Sequence, residues 1–222
     1  MKHLKAFIDK YKDYSLSDTL TYNSYRTWQR SEIRTFDSVS VTEILWLIID
    51  DNMQMVKKFY SDKMQEACDY WTEQHKAIED FINNKVQWDT EVFKHFRLFT
   101  IKYWITDMQS ELDYKTIYKD LPPVTGAIDC IAMMNDKQYL FDWKTSRRDR
   151  SFKSIKYNIQ KAWYRWLSWI KNSWVVYLNK KWYEYIESTE HEYWDIIWLE
   201  LLEYANTLFK QWKIINLYKD YE

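Results

Sequence analysis

GAIDCIAMMNDKQYLFDWKTS, residues 126–146, decides how the chain folds. Asn135-Asp136 divides it, and this pair suits a two-residue hairpin turn. The flanking residues therefore read as two antiparallel strands, near 125–134 and 138–144. With the turn at Asn135-Asp136, Asp129 stands opposite Asp142, with Cβ atoms about 5 Å apart. Lys144 follows two residues later, on the same face as Asp142. A three-residue loop would misalign the pair.

Two carboxylates this close repel unless a cation sits between them. Oxygen ligands favour Mg2+ or Mn2+. The only cysteines are Cys68 and Cys130, too few for an iron–sulfur cluster or a cysteine-built zinc site. A lysine beside such a site can orient or deprotonate a water and stabilise charge on an attacked phosphate. On spacing alone, a surface hairpin with solvated Asp and Lys accounts for the residues equally well.

The rest of the chain frames this hairpin. Its 222 residues suit one domain with a helical extension, and 46% hydrophobic with 29% charged residues is the balance of a globular protein. A net charge of −1 gives no overall attraction to nucleic acid, so any such binding needs a local patch. No run reaches the roughly 20 apolar residues of a membrane span. The N-terminus alternates Lys with Asp and has no apolar signal core, so a cytoplasmic protein, bacterial or phage-encoded, is expected.

Residues 1–37 are polar and aromatic and read as helix and loop. Residues 38–101 read as helical. Ser40-Val41-Thr42-Glu43 is a capping box that opens a helix carrying Ile44, Ile48 and Met55. A second helix spans about 61–84, with Ala67, Trp71, His75, Ile78 and Ile82 on one inward stripe, and a third lies near 89–101. From 102 to 222 the pattern is a strand near 104–112, the central hairpin, and a helix at 153–171 turning Ile155, Ile159, Trp163, Trp166 and Ile170 inward. A hairpin at 174–187 around Asn179-Lys180 and a helix at 191–213 follow. Such an order predicts an α/β fold with a mixed sheet flanked by helices.

Gly126-x-x-Asp129, then twelve residues, then Asp142-x-Lys144-Thr145-Ser146 resembles the PD-(D/E)XK nucleases of the RecB-like group. Gln160-x-x-x-Tyr164 is similar to that group's next motif. SVTEIL (40–45), His75 in TEQHKAIEDF (72–81) and Glu111 resemble upstream segments of the branch containing the mitochondrial genome maintenance exonuclease. The resemblance runs from about Ser38 to about Lys210. It implies a restriction-endonuclease-like fold, Asp129 and Asp142 as metal-binding acids, the backbone carbonyl of Trp143 as a further ligand and Lys144 as the catalytic lysine. It implies His75 as an extra metal ligand, against an ordinary inward-facing helix histidine. Glu111 assists the metal or is a solvated strand residue. Gln160 and Tyr164 position the active-site strand or touch DNA. His3, His95 and His191 carry no motif.

Lys144, Thr145, Ser146, Arg147, Arg148, Arg150, Lys153 and Lys156 gather cations and hydroxyls on one loop and helix start, opposed by Asp149 alone. That composition suits phosphates, although a solvated charged loop has it too. The expectation is a metal-dependent deoxyribonuclease, an exonuclease on single-stranded or frayed DNA ends, with no membrane partner. An endonuclease or a helicase-associated nuclease is the alternative. A non-catalytic DNA-binding module is the reading of another class.

One count is abnormal. The chain has 14 tryptophans and a single glycine, where ordinary usage gives about 15 glycines. Trp46, Trp71, Trp174 and Trp182 stand where a turn, or the resemblance, favours glycine. The expectation is that some of these codons are UGA, meaning glycine in the source and read here as tryptophan; a truly tryptophan-rich protein is the rival reading. Trp143 is the one expected to be a genuine tryptophan.

Overall fold

The computed structural model describes residues 1–22, 38–50, 61–146, 155–187 and 191–216. The elements in chain order are α1 (Lys2–Lys10), β1 (Tyr14–Leu16), β2 (Leu20–Tyr22), β3 (Val39–Ser40), α2 (Val41–Leu45), β4 (Ile48–Asp50), α3 (Ser61–Asn84), α4 (Glu91–Lys102) and β5 (Thr106–Thr116). Then come β6 (Val124–Met134), β7 (Lys137–Ser146), α5 (Lys156–Ser168), β8 (Asn172–Asn179), β9 (Tyr183–Glu187), α6 (His191–Lys210) and β10 (Ile214–Asn216). This is an α/β fold with a mixed sheet flanked by helices. Among the described residues, no helix is long and apolar enough to cross a membrane.

The chain divides into two compact units. The first comprises residues 1–56, 113–127 and 190–222. The Ser40 side chain accepts from the Glu43 N–H at 3.2 Å, and the Glu43 carboxylate accepts from the Ser40 N–H at 2.6 Å. The predicted capping box is therefore present, but the helix it opens ends at Leu45. Ile48, expected on that helix, lies in β4 opposite Leu16. Met55 lies outside the described residues. β1, β2, β4 and β10 were not expected, because each is only three residues long and pairs with a segment distant in sequence. α6 buries Trp194, Ile197, Trp198, Leu201, Leu202, Ala205 and Leu208. Glu200 on its other side receives the backbone N–H groups of His3 and Leu4, which holds α1 in place.

The second unit comprises residues 57–112 and 128–189 and contains the hairpin. Its strands run β6-β7-β8-β9, with β5 also paired to β6. Asn135 and Asp136 both have positive φ, 51° and 59°, as a two-residue turn of the I′ type requires. The register follows from that turn: Cys130 opposes Phe141 and Met134 opposes Lys137. β7 and β8 are parallel, so the chain must cross between them, and α5 makes that crossing.

Side chains alternate across β7. Tyr139, Phe141 and Trp143 join Phe96, Phe99 and Trp174 in an aromatic core, with Phe141 and Trp143 stacked at 5.4 Å. Leu140, Asp142 and Lys144 take the opposite face. Trp71 is a correction to the expected stripe. His75, Ile78 and Ile82 are buried, whereas Trp71 is 43% exposed and lies with its ring tilted against that of His75, 4.1 Å between centroids.

Candidate metal centre

α3 is fixed at its middle by Gln74, whose amide oxygen accepts from the Thr90 hydroxyl at 2.9 Å. Thr90 also caps α4. The next residue, His75, is buried with Nδ1 3.9 Å from Asp129 Oδ2. Near the end of α3, Asn83 accepts from the Ser110 hydroxyl at 3.0 Å, and this anchors β5 beside Glu111. Glu111 itself has φ of 52°, a left-handed conformation uncommon for a residue with a Cβ. One ligand atom from each of His75, Glu111 and Asp129 falls within 4.8 Å of the others. An imidazole and two carboxylates at this spacing match the donor set of a divalent cation.

Asp142 stands apart from that triad. Its carboxylate is held by the Lys144 ammonium, 2.8 Å from each oxygen. The two groups are linked through Asp129, whose Oδ2 accepts the Trp143 N–H at 2.9 Å. Thus Asp129 faces His75 and Glu111 while bound to the strand residue between Asp142 and Lys144. Burial pushes the Asp142 carboxyl up to about 6, and the neighbouring Asp129 adds to this against the pull of Lys144. Burial also raises Asp129. For Lys144, burial opposes the charge, but Asp142 and Asp129 outweigh it and hold the ammonium above its ordinary range. In this arrangement Lys144 is held as a cation by the two carboxylates beside it.

α5 lays a polar stripe over this face of the sheet. The Lys144 ammonium lies 4.8 Å from the Tyr157 ring centroid. One turn on, Lys161 is 1% exposed, its ammonium without a hydrogen-bond partner among the described residues, and burial lowers it to about 8. Another turn on, Arg165 donates to the Ser173 hydroxyl at 3.2 Å. None of these was singled out in the sequence. The spacing 157, 161, 165 is a helical period, and it was obscured by the apolar stripe on the same helix.

Gln160 donates to the Tyr164 hydroxyl at 2.6 Å. Tyr164 is buried, so its ring offers no face to a base or phosphate. It braces α5 from within, which corrects the expectation of DNA contact at this residue. Thr145 is half-buried with its hydroxyl enclosed. Trp143 projects its indole into the aromatic core, leaving only its backbone at the site. Ser146 ends β7, and nothing is described of its side chain. Arg147, Arg148, Arg150 and Lys153 lie outside the described residues, so the expected basic patch does too.

No family model matches the chain, and no curated protein is similar to it. Among solved structures, the chain is similar to one described as "Crystal structure of SSO0001", with a TM-score of 0.44 and 16% identity over 93% of this chain and 84% of the other.

Proposed function

We propose that the protein is a metal-dependent deoxyribonuclease with a restriction-endonuclease-like core, a RecB-like member of the PD-(D/E)XK nucleases. The observation that carries this reading is the convergence of His75, Glu111 and Asp129 beside the Asp142–Lys144 pair. The succession α3, α4, β5, β6, β7, α5, β8, with a parallel β7–β8 pair, supports it. A surface hairpin with solvated charges would not bury Asp142 or enclose His75.

His75, Glu111, Asp129 and Asp142 would hold Mg2+ or Mn2+, with the Trp143 carbonyl as a further oxygen donor. The bound cation supplies positive charge to the phosphate and an activated water. With Asp142 shared with a cation, the Lys144 ammonium beside it would be placed to stabilise the charge that develops on the attacked phosphodiester. Water oxygen would bond to phosphorus as the bond to the leaving oxygen breaks; the attacking water's proton would pass to bulk solvent, and the leaving oxygen would take up a proton from solvent. Tyr157 keeps Lys144 over the strand end while this happens. DNA with free single-stranded ends is the proposed substrate, in replication, repair or recombination.

The test is purified protein with end-labelled linear and circular single-stranded DNA, in Mg2+, Mn2+ or EDTA. Metal-dependent loss of the linear strand, with the circle spared, is expected. Cleavage of the circle would make it an endonuclease. Cleavage that persists in EDTA, or no cleavage of either substrate, would sink the reading.

A further inference from the structure

Nine described residues other than glycine have positive φ, and three of them are tryptophans: Trp104 at 51°, Trp169 at 61° and Trp212 at 56°. Each stands at the end of a different helix. Trp104 follows α4, where its N–H reaches the Ile101 carbonyl and the Ile105 N–H reaches Thr100. Trp212 follows α6 in the same way, with its N–H on Phe209 and the Lys213 N–H on Leu208. These are the paired bonds of a Schellman ending, with the tryptophan at its left-handed position. Trp169 ends α5 with a single bond from its N–H to the Arg165 carbonyl at 2.9 Å, the simpler left-handed ending.

That position is glycine's, because a Cβ there crowds the following carbonyl and glycine has none. Asparagine is the usual substitute, and a bulky side chain is an outlier. The chain follows this chemistry at its hairpin turn, where Asn135 and Asp136 supply the positive φ. Of the four described helix ends with a left-handed residue, one after α3 carries Lys85 at 59°, and the other three carry the largest side chain. None of the three indoles repays the strain. They are 80%, 86% and 82% exposed, the most exposed of the large hydrophobic residues. They make no ring contact among the described residues. The one glycine of the chain, Gly126, is not at a positive-φ position.

The geometry points to glycine as the natural residue at 104, 169 and 212, encoded there by UGA in a genetic code that assigns this codon to glycine. The inference rests on backbone conformation and does not depend on the nuclease reading. It also moves the expected positions. Trp174 is buried and stacks on Tyr185 at 4.1 Å, as a core tryptophan does. Trp46 has ordinary helical φ of −70°. Trp182 is half-buried and is not among the positive-φ residues. None of these three shows glycine's signature.

The test has three arms. The first reads the gene and the peptides spanning 104, 169 and 212 in protein isolated from its own cells. UGA codons with glycine masses at all three are expected. A UGG codon or a tryptophan mass at any of them overturns the inference. The second compares the chain as written with Trp104→Gly, Trp169→Gly and Trp212→Gly. Each should raise Tm by about 2–8 °C, from the left-handed penalty and a chain of this size. A fall in Tm for any of them overturns it. The third measures binding of single-stranded oligonucleotides to the triple variant. Unchanged affinity is expected, whereas a loss would make the indoles a base-stacking surface and would overturn the inference.

Discussion

The Lys144 ammonium hydrogen-bonds Asp142 Oδ1 and lies 2.8 Å from each carboxylate oxygen, so a metal that uses Asp142 must share the carboxylate with this cation and find it ionised. Burial, with the like charge of Asp129, puts the Asp142 carboxyl at about 6. Above that pH, Asp142 carries no proton to compete with the metal. Below it, a proton must leave Asp142 for each metal bound, and burial raises Asp129 as well. Mn2+ affinity is therefore expected to fall by at least about tenfold per pH unit below 6. Calorimetric titration at pH 5, 6 and 7.5 measures this. Equal affinity at all three would exclude Asp142 as a ligand.

Lys161 is a stability liability with a defined pH range. Its folded pKa is lowered to about 8 from the ordinary lysine value of 10.5, chiefly by burial. A lysine depressed on folding binds fewer protons folded than unfolded between those two values, so stability rises with pH across that window. Below about 8, the full cost of the buried ammonium is present. Lys161→Met should then stabilise the protein at pH 7 by on the order of 2–3 kcal/mol, and the advantage should shrink towards pH 10.5. Urea melts at pH 7 and pH 10 read this directly. A variant less stable at pH 7 would show the ammonium to be paired in solution.

In the proposed reaction, the ring of Tyr157 rather than its hydroxyl should matter. The ring face, 4.8 Å from the Lys144 ammonium, is what attracts the cation. Tyr157→Phe keeps that face and should cleave as the parent does. Tyr157→Leu removes it and should lower kcat by about 3- to 30-fold, the equivalent of roughly 0.7–2 kcal/mol. Single-turnover rates with saturating DNA separate the two. Equal rates for Phe and Leu would confine Tyr157 to packing.

What was legible in the sequence is what local hydrogen bonding decides. Asn135-Asp136 specified the turn, and the turn specified the register that carries Asp129 toward Asp142. Ser40 and Glu43 specified a helix start. Pairings between distant segments left no such trace. β1 meets β4 with Tyr14 opposite Asp50, and three residues are too few to show a period. Helical periodicity placed His75 correctly but assigned Trp71 to the same buried stripe, because an indole counts as apolar wherever it points. The polar stripe of Tyr157, Lys161 and Arg165 went unseen because charged residues on a helix are ordinarily solvated. The left-handed conformation of Glu111 has no sequence signal at all.

If Glu111 is a ligand as proposed, that conformation sets metal binding against stability at one residue. Glu111 holds φ of 52° within β5, and its carboxylate reaches the cluster with His75 and Asp129. A residue with a Cβ gives up about 1–2 kcal/mol there, and glycine gives up nothing. Strain of this kind persists where the side chain is needed. Glu111→Gly should therefore raise the Tm of the metal-free protein by about 2–8 °C. The same change removes one carboxylate from the centre, so Mn2+ affinity should fall at least about tenfold, the equivalent of 1.4 kcal/mol. Glu111→Gln separates the two effects, since it keeps the strained backbone and loses only the charge. It should bind Mn2+ as weakly as the glycine variant, with Tm near that of the parent. Thermal melts in EDTA and Mn2+ titrations of the three proteins are sufficient. If Glu111→Gly melts lower than the parent, the left-handed conformation costs nothing there. If both variants bind Mn2+ like the parent, Glu111 is a solvated strand residue and the centre is built without it.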